Sequence, residues 1–221
     1  MYTFDFSWLP ENLPRLIDGA IISLWLTLVT APACFAIGVI AGQMRMSKLA
    51  IVRIPAAAYI DLFRTTPFLV QLVFFFFLLP LYFPNMRFDA VSAGCVALSL
   101  NYGAFFAEIF RAGVTSLGRA QEEAALALGM TRVQSARRII YPQAVRRMLP
   151  PIGSMFVSLL KDTSLLSVVG VAELMNTGQN IGAVTFRNLE VLMVVGALYF
   201  ILTYPIALWA NRLHDRASAH S

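Results

Sequence analysis

Charge is scarce in this 221-residue chain. Only 13% of its residues are Asp, Glu, Lys or Arg, against about 25% in an ordinary soluble domain, which excludes a surface bathed on all sides by water. Lysine is rarer still, with Lys48 and Lys161 alone. Neither stands in a G-x-x-x-x-G-K-[ST] run, so the chain has no recognisable cradle for ATP phosphates. The two cysteines, Cys34 and Cys95, sit in apolar stretches, and the two histidines, His214 and His220, sit in the polar tail. That placement excludes a disulfide framework or a zinc-type ligand spacing. It also leaves no nucleophile–base or metal constellation from which to build an enzyme. The net charge of +5 comes without the aromatic-interleaved basic patches of single-strand binders, so nucleic acid is not an expected partner. Nor do the first charges, Asp5, Glu11, Arg15 and Asp18, make the basic start of a cleavable signal. The first apolar run is therefore expected to stay as a membrane span.

What remains is apolar. Hydrophobic residues make up 58% of the chain and the mean hydropathy is +0.70. The charges are clumped, leaving stretches of the roughly 20 apolar residues that a bilayer crossing requires. The expected fold is an all-α integral membrane protein, one transmembrane domain over 1–221, with about five spans at 16–42, 56–83, 88–111, 150–172 and 191–211. Prolines 32, 67 and 205 fall inside spans, where neighbouring helices re-satisfy freed backbone groups, so kinks rather than breaks are expected.

Orientation follows from loop Lys and Arg, which concentrate on the cytoplasmic side. Arg45, Lys48, Arg53, Arg111, Arg119, Arg132, Arg137, Arg138, Arg146, Arg147, Arg212 and Arg216 share one side, whereas Arg15, Arg87 and Arg187 occupy the other. Twelve against three places the N-terminus outside and the C-terminus in the cytoplasm.

The longest basic segment, about 112–147, is thereby cytoplasmic. Its composition predicts two short helices. Gln121, Glu122 and Glu123 suit a first turn, Ala124 to Leu128 are strong helix formers, and Gly129 stands where a C-terminal cap needs the left-handed conformation. Thr131 and Gln134 have the form of a capping box, and Pro142 is expected to stop or kink the second helix at Tyr141. On these residues alone, the segment suits either a docking surface for another protein or a helix resting on anionic lipid headgroups.

Glu123-Ala124-Ala125, three residues, Gly129, nine residues, then Ile139-Ile140-Tyr141-Pro142 resembles the EAA loop of ABC-type import permeases, with Tyr141 where Leu is usual. The segment "FRTTPFLVQL" at 63–72 is similar to the F-R-G-T-P-x-x-V-Q motif of polar amino-acid ABC permeases, with Thr65 for Gly. "AFFAEIFRAGV" at 104–114 and "LLKDTSLLSVVGVAEL" at 159–174 also resemble that subfamily, the first with Phe105 for Tyr. The resemblance covers about 60–175. It implies a permease subunit moving a polar amino acid into the cytoplasm of a bacterium by alternating access, from the inner membrane. Glu123, Ala124, Ala125, Gly129, Ile139 and Pro142 would then form the coupling loop that docks on a cytoplasmic ABC ATPase dimer. That partner would bind ATP and Mg, none being bound by this chain. A second permease subunit, identical or related, and an external amino-acid-binding protein complete the implied assembly. Another small polar metabolite is the alternative cargo, and an ATP-independent channel or carrier is the more distant alternative.

Ionisable residues within spans need a partner or a watery cavity, since each costs about 2.5–3.5 kcal/mol at the bilayer centre. Arg64, Glu108, Lys161 and Asp162 are of this kind, with Asn101, Thr163 and Ser164 as polar neighbours. As a substrate pathway, Arg64 or Lys161 would take a carboxylate and Glu108 or Asp162 an ammonium. As plain structure, Glu108 would pair with Arg111 three residues on, Arg64 would snorkel, and the hydroxyls would bond between helices. The outward segment 173–190 is expected to serve as gate, binding-protein contact or linker.

Overall fold

The computed structural model describes residues 3–218, and the side chains of all but 118–120 and 213–218 among them. His220 lies outside the described residues, as do the side chains of His214 and Arg216. Within that range every element is helical. Four helices are long and apolar enough to cross a membrane, five if one bent pair counts as a single span.

Helix α1, Leu9–Arg45, opens with a proline in its first turn and Glu11 beside the dipole's positive end, and closes with Arg45 at the negative end. At about 1.5 Å per residue it exceeds the ~30 Å hydrocarbon core. Apart from Leu16 and Leu26 its buried face is made of small residues, so α5 (Ala90–Thr115) can lie close against it. Gly38 shows why: a Cβ there would stand 2.2 Å from the Phe106 ring. Asp89 starts α5 by accepting the Ser92 N–H at 3.4 Å, and α5 becomes the central helix, touching α1, α2 and α8.

Between them lies the largest departure from expectation. The region expected as one span, 56–83, is two arms: α2, Ala50–Thr65, and a second arm from Phe68 to Tyr82, turned 109° from it. Pro67 breaks the helix rather than kinking it, because Thr66 is driven to an extended φ −99°, ψ 142°. The second arm runs as α3 (Phe68–Val73), a π turn (Phe74–Leu78) and α4 (Leu79–Tyr82).

The basic segment forms α6 (Gly118–Ala127) and α7 (Arg132–Ser135). A second π turn, Ala136–Ile140, then leads into α8, Tyr141–Asp162. Pro142 does not end the helix as expected. Both π turns stop two residues before a proline, Pro80 and Pro142, and their wider i→i+5 bonding accommodates a residue with no N–H to give. Helix α8 tightens into a 3-10 segment, Thr163–Val169, that stops at Gly170, φ +83°. The segment after Gly170 holds a helix of its own, α9 (Leu174–Thr185), and α10 (Asn188–Ser218) completes the described residues.

Two main apolar cores form among the described residues, beside a small third one at Ala41, Ile60 and Ala107. The larger joins Leu26, Phe68, Leu98, Phe106, Met148 and Leu159 across α1, α3, α5 and α8. The smaller joins Trp8, Leu16, Leu174, Ile181, Val191 and Val195, tying the start of α1 to α9 and α10.

Candidate functional site

The loop between α5 and α8 is built as its sequence suggests. Leu128 ends α6, and Gly129 adopts φ +80°, a conformation that costs any residue with a Cβ about 1 kcal/mol or more. The Thr131 hydroxyl accepts the Gln134 N–H at 3.3 Å while the Gln134 side chain accepts the Thr131 N–H at 2.9 Å, so the capping box is complete. Ala125 is buried under the turn, whereas Glu123, Ala124 and Gly129 are exposed. Leu128 and Val133 stand out at 83% and 75% exposure. Ile139 is half-buried and Pro142 exposed. The Tyr141 hydroxyl accepts from Gln43 Nε2 at 2.7 Å, fastening the loop to the end of α1.

Above the loop, α5 and α8 enclose a groove. Tyr102, Phe105, Ile109, Ala112 and Ser116 on α5 follow one another at steps of three and four, as do Arg147, Pro151, Ser154, Ser158 and Asp162 on α8. Each set therefore shares one helix face. The cavity nearer the loop, about 440 Å³, holds Arg64, Glu108, Ser116 and Arg147. The next, about 460 Å³, holds Tyr102, Ser154, Ser158 and Asp162.

Charges in the first cavity are unevenly matched. Glu108 takes a two-pronged contact from Arg111, at 3.1 Å and 2.5 Å, the pairing that three-residue spacing permits. Arg64 reaches the same carboxylate only at 3.9 Å and lies 5.6 Å from the Phe105 ring centroid, a cation–π distance. Arg147 donates to the Ser116 carbonyl and hydroxyl at 2.8 and 3.1 Å, closing the end of α5. In the second cavity the Tyr102 hydroxyl donates to Asp162 at 2.8 Å.

The other polar residues singled out from the sequence sit elsewhere. Asn101 is buried at the α2–α3 bend, donating to the Phe63 carbonyl and to Gln71, each at 3.0 Å. Thr163 is buried and donates to the Leu160 carbonyl at 2.7 Å. Lys161 and Ser164 line a separate cavity of about 330 Å³ with Tyr199 and Thr203, on the α8–α10 face. Ser158, weighed from the sequence as pore lining or helix–helix hydrogen bonder, lines the second cavity, whereas Tyr102, Ser154 and Arg147 were not anticipated there, although their three-and-four spacing was readable. Glu173 was missed too. It is fully buried and accepts from Ser23 (3.3 Å), Tyr199 (2.7 Å) and the Met175 and Asn176 N–H groups (2.9 and 2.7 Å), so one carboxylate joins α1, α9 and α10.

This architecture matches a known one. Residues 35–220 match the family described as the binding-protein-dependent transport system inner membrane component. The chain belongs to that family. It is an inner-membrane component of such a system, and the permease is accordingly one part of a larger transport assembly. Among relatives, the glutamine transport system permease protein GlnP of Escherichia coli (strain K12) is 40% identical over 213 residues, 96% of this chain and 97% of that one. The glutamate/aspartate import permease protein GltK of Escherichia coli O157:H7 is 35% identical, covering 99% and 100% of the two chains. A crystal structure of an amino acid ABC transporter with histidines superposes with a TM-score of 0.91 at 34% identity, over 97% of this permease and 100% of that chain. The MetNI methionine ABC transporter, at 22% identity and a TM-score of 0.77 over 93% and 97% of the chains, shares the fold.

Proposed function

We propose that this permease carries a polar amino acid into the bacterial cytoplasm through the α5–α8 groove, by alternating access driven by a separate ATPase pair. The observation that carries the reading is the groove itself, which carries polar and charged side chains at both ends along two membrane helices and ends above an exposed loop with a fixed turn. The glutamine and glutamate/aspartate relatives support an amino acid as cargo. Asp162 and Glu108 offer anionic contacts to an ammonium, and Arg64 and Arg147 cationic contacts to a carboxylate. A second permease subunit closes the open side of the groove, and a soluble binding protein delivers cargo at the outer end. The N-terminus is outside and the C-terminus inside, following the Lys and Arg bias.

In this mechanism the ATPase grips Glu123, Ala124, Leu128 and Val133, while Gly129 and the capping box keep the turn rigid enough to transmit its movement. Ile139 and Pro142 pass that movement to α8, and the Gln43–Tyr141 bond passes it to α1. ATP and Mg are held by the partner. The test is gentle purification from native membranes, comparing the native chain with Glu123→Ala and Gly129→Pro. A nucleotide-hydrolysing subunit is expected to co-purify and to be lost or weakened in both variants. A chain that never brings an ATPase with it defeats the reading.

A further inference from the structure

The two groove cavities share three lining residues, Phe105, Ile109 and Pro151. All three are apolar. Polar groups stand on either side: Tyr102, Ser154, Ser158 and Asp162 beyond them, and Arg64, Glu108, Ser116 and Arg147 towards the loop. The groove therefore runs polar, apolar, polar along its length, the apolar zone being one turn deep on α5, from Phe105 to Ile109 with Glu108 between them at the loop-side edge, and a single side chain, Pro151, on α8. We propose that Phe105, Ile109 and Pro151 form an apolar septum that seals the two halves of the groove from each other, with Arg64 as the arm that holds and retracts the Phe105 ring. The proposal rests on the groove being the transport path.

Two contacts fix the ring. Arg64 lies over it at 5.6 Å, and Tyr102 lies beside it, ring centroids 5.9 Å apart. A zwitterion crossing this zone must shed water against carbon from both helices, and a narrow apolar zone also excludes water and ions by dewetting. Arg64 sits in the last turn of α2, immediately before the 109° bend at Pro67. A movement of α2 relative to α5 thus changes the Arg64–Phe105 distance directly. Glu108, which Arg64 already approaches at 3.9 Å, offers the guanidinium a resting place when it leaves the ring.

Substituted-cysteine accessibility tests the septum. In the nucleotide-free complex with its ATPase, and with Cys34 and Cys95 replaced by alanine, single substitutions Ala112→Cys and Ser158→Cys are exposed to a membrane-impermeant methanethiosulfonate applied from the loop side. Ala112 lines the loop-side cavity and Ser158 the far one. The septum requires Ser158→Cys to react at least about tenfold more slowly than Ala112→Cys. Adding Phe105→Ala with Ile109→Ala should raise the Ser158→Cys rate about tenfold and leave Ala112→Cys unchanged, while Phe105→Leu should keep the protection. Equal rates at the two positions with the septum intact overturn the proposal and leave the path standing, as does protection of Ser158→Cys that persists in the double alanine variant. The comparison of the two positions stands without that variant if it fails to assemble. If neither position reacts, the groove is dry and the path and its septum fall together.

Discussion

Asn101 donates its side-chain N–H to the Gln71 side-chain Oε1 at 3.0 Å, and the Gln71 Nε2 in turn donates to the Phe63 and Thr66 carbonyls at 2.9 and 3.1 Å. The Phe63 carbonyl, freed where Pro67 removes its helical partner, also accepts from Asn101. Two side chains thereby satisfy the backbone of a broken helix, as membrane-depth structure demands. Asn101→Ala should therefore act through stability, by about 1–3 kcal/mol, the cost of leaving such groups unpaired. Thermal unfolding in detergent is expected to shift downwards, with cargo preference unchanged in what remains folded. A variant of native stability and altered cargo preference would return Asn101 to the transport path.

Gly129 has nothing within 4 Å of the position a Cβ would take, so Gly129→Ala meets no clash and its cost is confined to φ +80°. That cost is about 1 kcal/mol. If the left-handed turn sets the surface presented to the ATPase, retention of that subunit should fall about fivefold for each such increment. Gly129→Asn, which tolerates the conformation, should lie between the two. Equal retention by all three would show that the loop's shape is not what the partner reads.

Local chemistry was legible in the sequence; long-range closure was not. Gly129, Thr131 and Gln134 act through neighbours within three residues, and the cap they form is in place. Glu108 and Arg111 pair across a single turn, as their spacing permits. Pro67 was readable as an interruption, but choosing between a kink and a 109° turn required Asn101, thirty residues away from Gln71. The π turns before Pro80 and Pro142 were invisible because they depend on how a helix absorbs a missing donor, not on which residue supplies it. Lys161 and Asp162, adjacent in sequence, line different cavities. Glu173 gave no local signal: its partner Ser23 is 150 positions distant.

Asp162 is the acidic group of the cavity farther from the loop, and the Tyr102 hydroxyl donates to it at 2.8 Å. Asp162→Asn keeps an acceptor for Tyr102 and removes the charge. Uptake by the reconstituted complex should fall about tenfold or more if the carboxylate meets a substrate ammonium, with ATPase retention intact. Tyr102→Phe, which removes only the donor, should cost much less. Parallel losses in the two variants would assign the pair to helix packing.

Glu173 joins three helices through one carboxylate, so the size of the truncation should matter more than the charge. Glu173→Ala strands the Tyr199 hydroxyl and uncaps α9, an expected loss of about 2–4 kcal/mol, while Ser23 keeps the Gly19 carbonyl. Glu173→Gln retains an oxygen for the α9 N–H groups and should lose well under half of that. Unfolding of the purified permease, followed by loss of tertiary signal with temperature, separates the two. A glutamine variant as weak as the alanine variant would mean that the negative charge itself holds the junction.

The N-terminal segment carries a pH dependence whose sign is fixed by its contacts. The Ser7 backbone N–H donates to Asp5 at 2.9 Å, and with the Ser7 side chain and Arg187 at 3.4 Å it holds the Asp5 carboxyl below its ordinary range. A carboxylate with a depressed pKa in the folded state contributes stability above its unfolded value, about 3.9, and loses it as pH falls through the folded value. The staple should therefore be indifferent to pH from neutrality down to about pH 4 and loosen below it. Trp8 reports the change, since its indole N–H donates to the Asp5 carbonyl at 3.1 Å. With Trp25 and Trp209 replaced by phenylalanine, Trp8 emission should hold steady and then shift only in that acid window. Glu190 shares Arg187 at 3.6 Å, so the comparison with Asp5→Asn isolates the Asp5 contribution, and that variant should lack the acid step. A step near pH 6, or one that survives Asp5→Asn, would place the titrating group elsewhere.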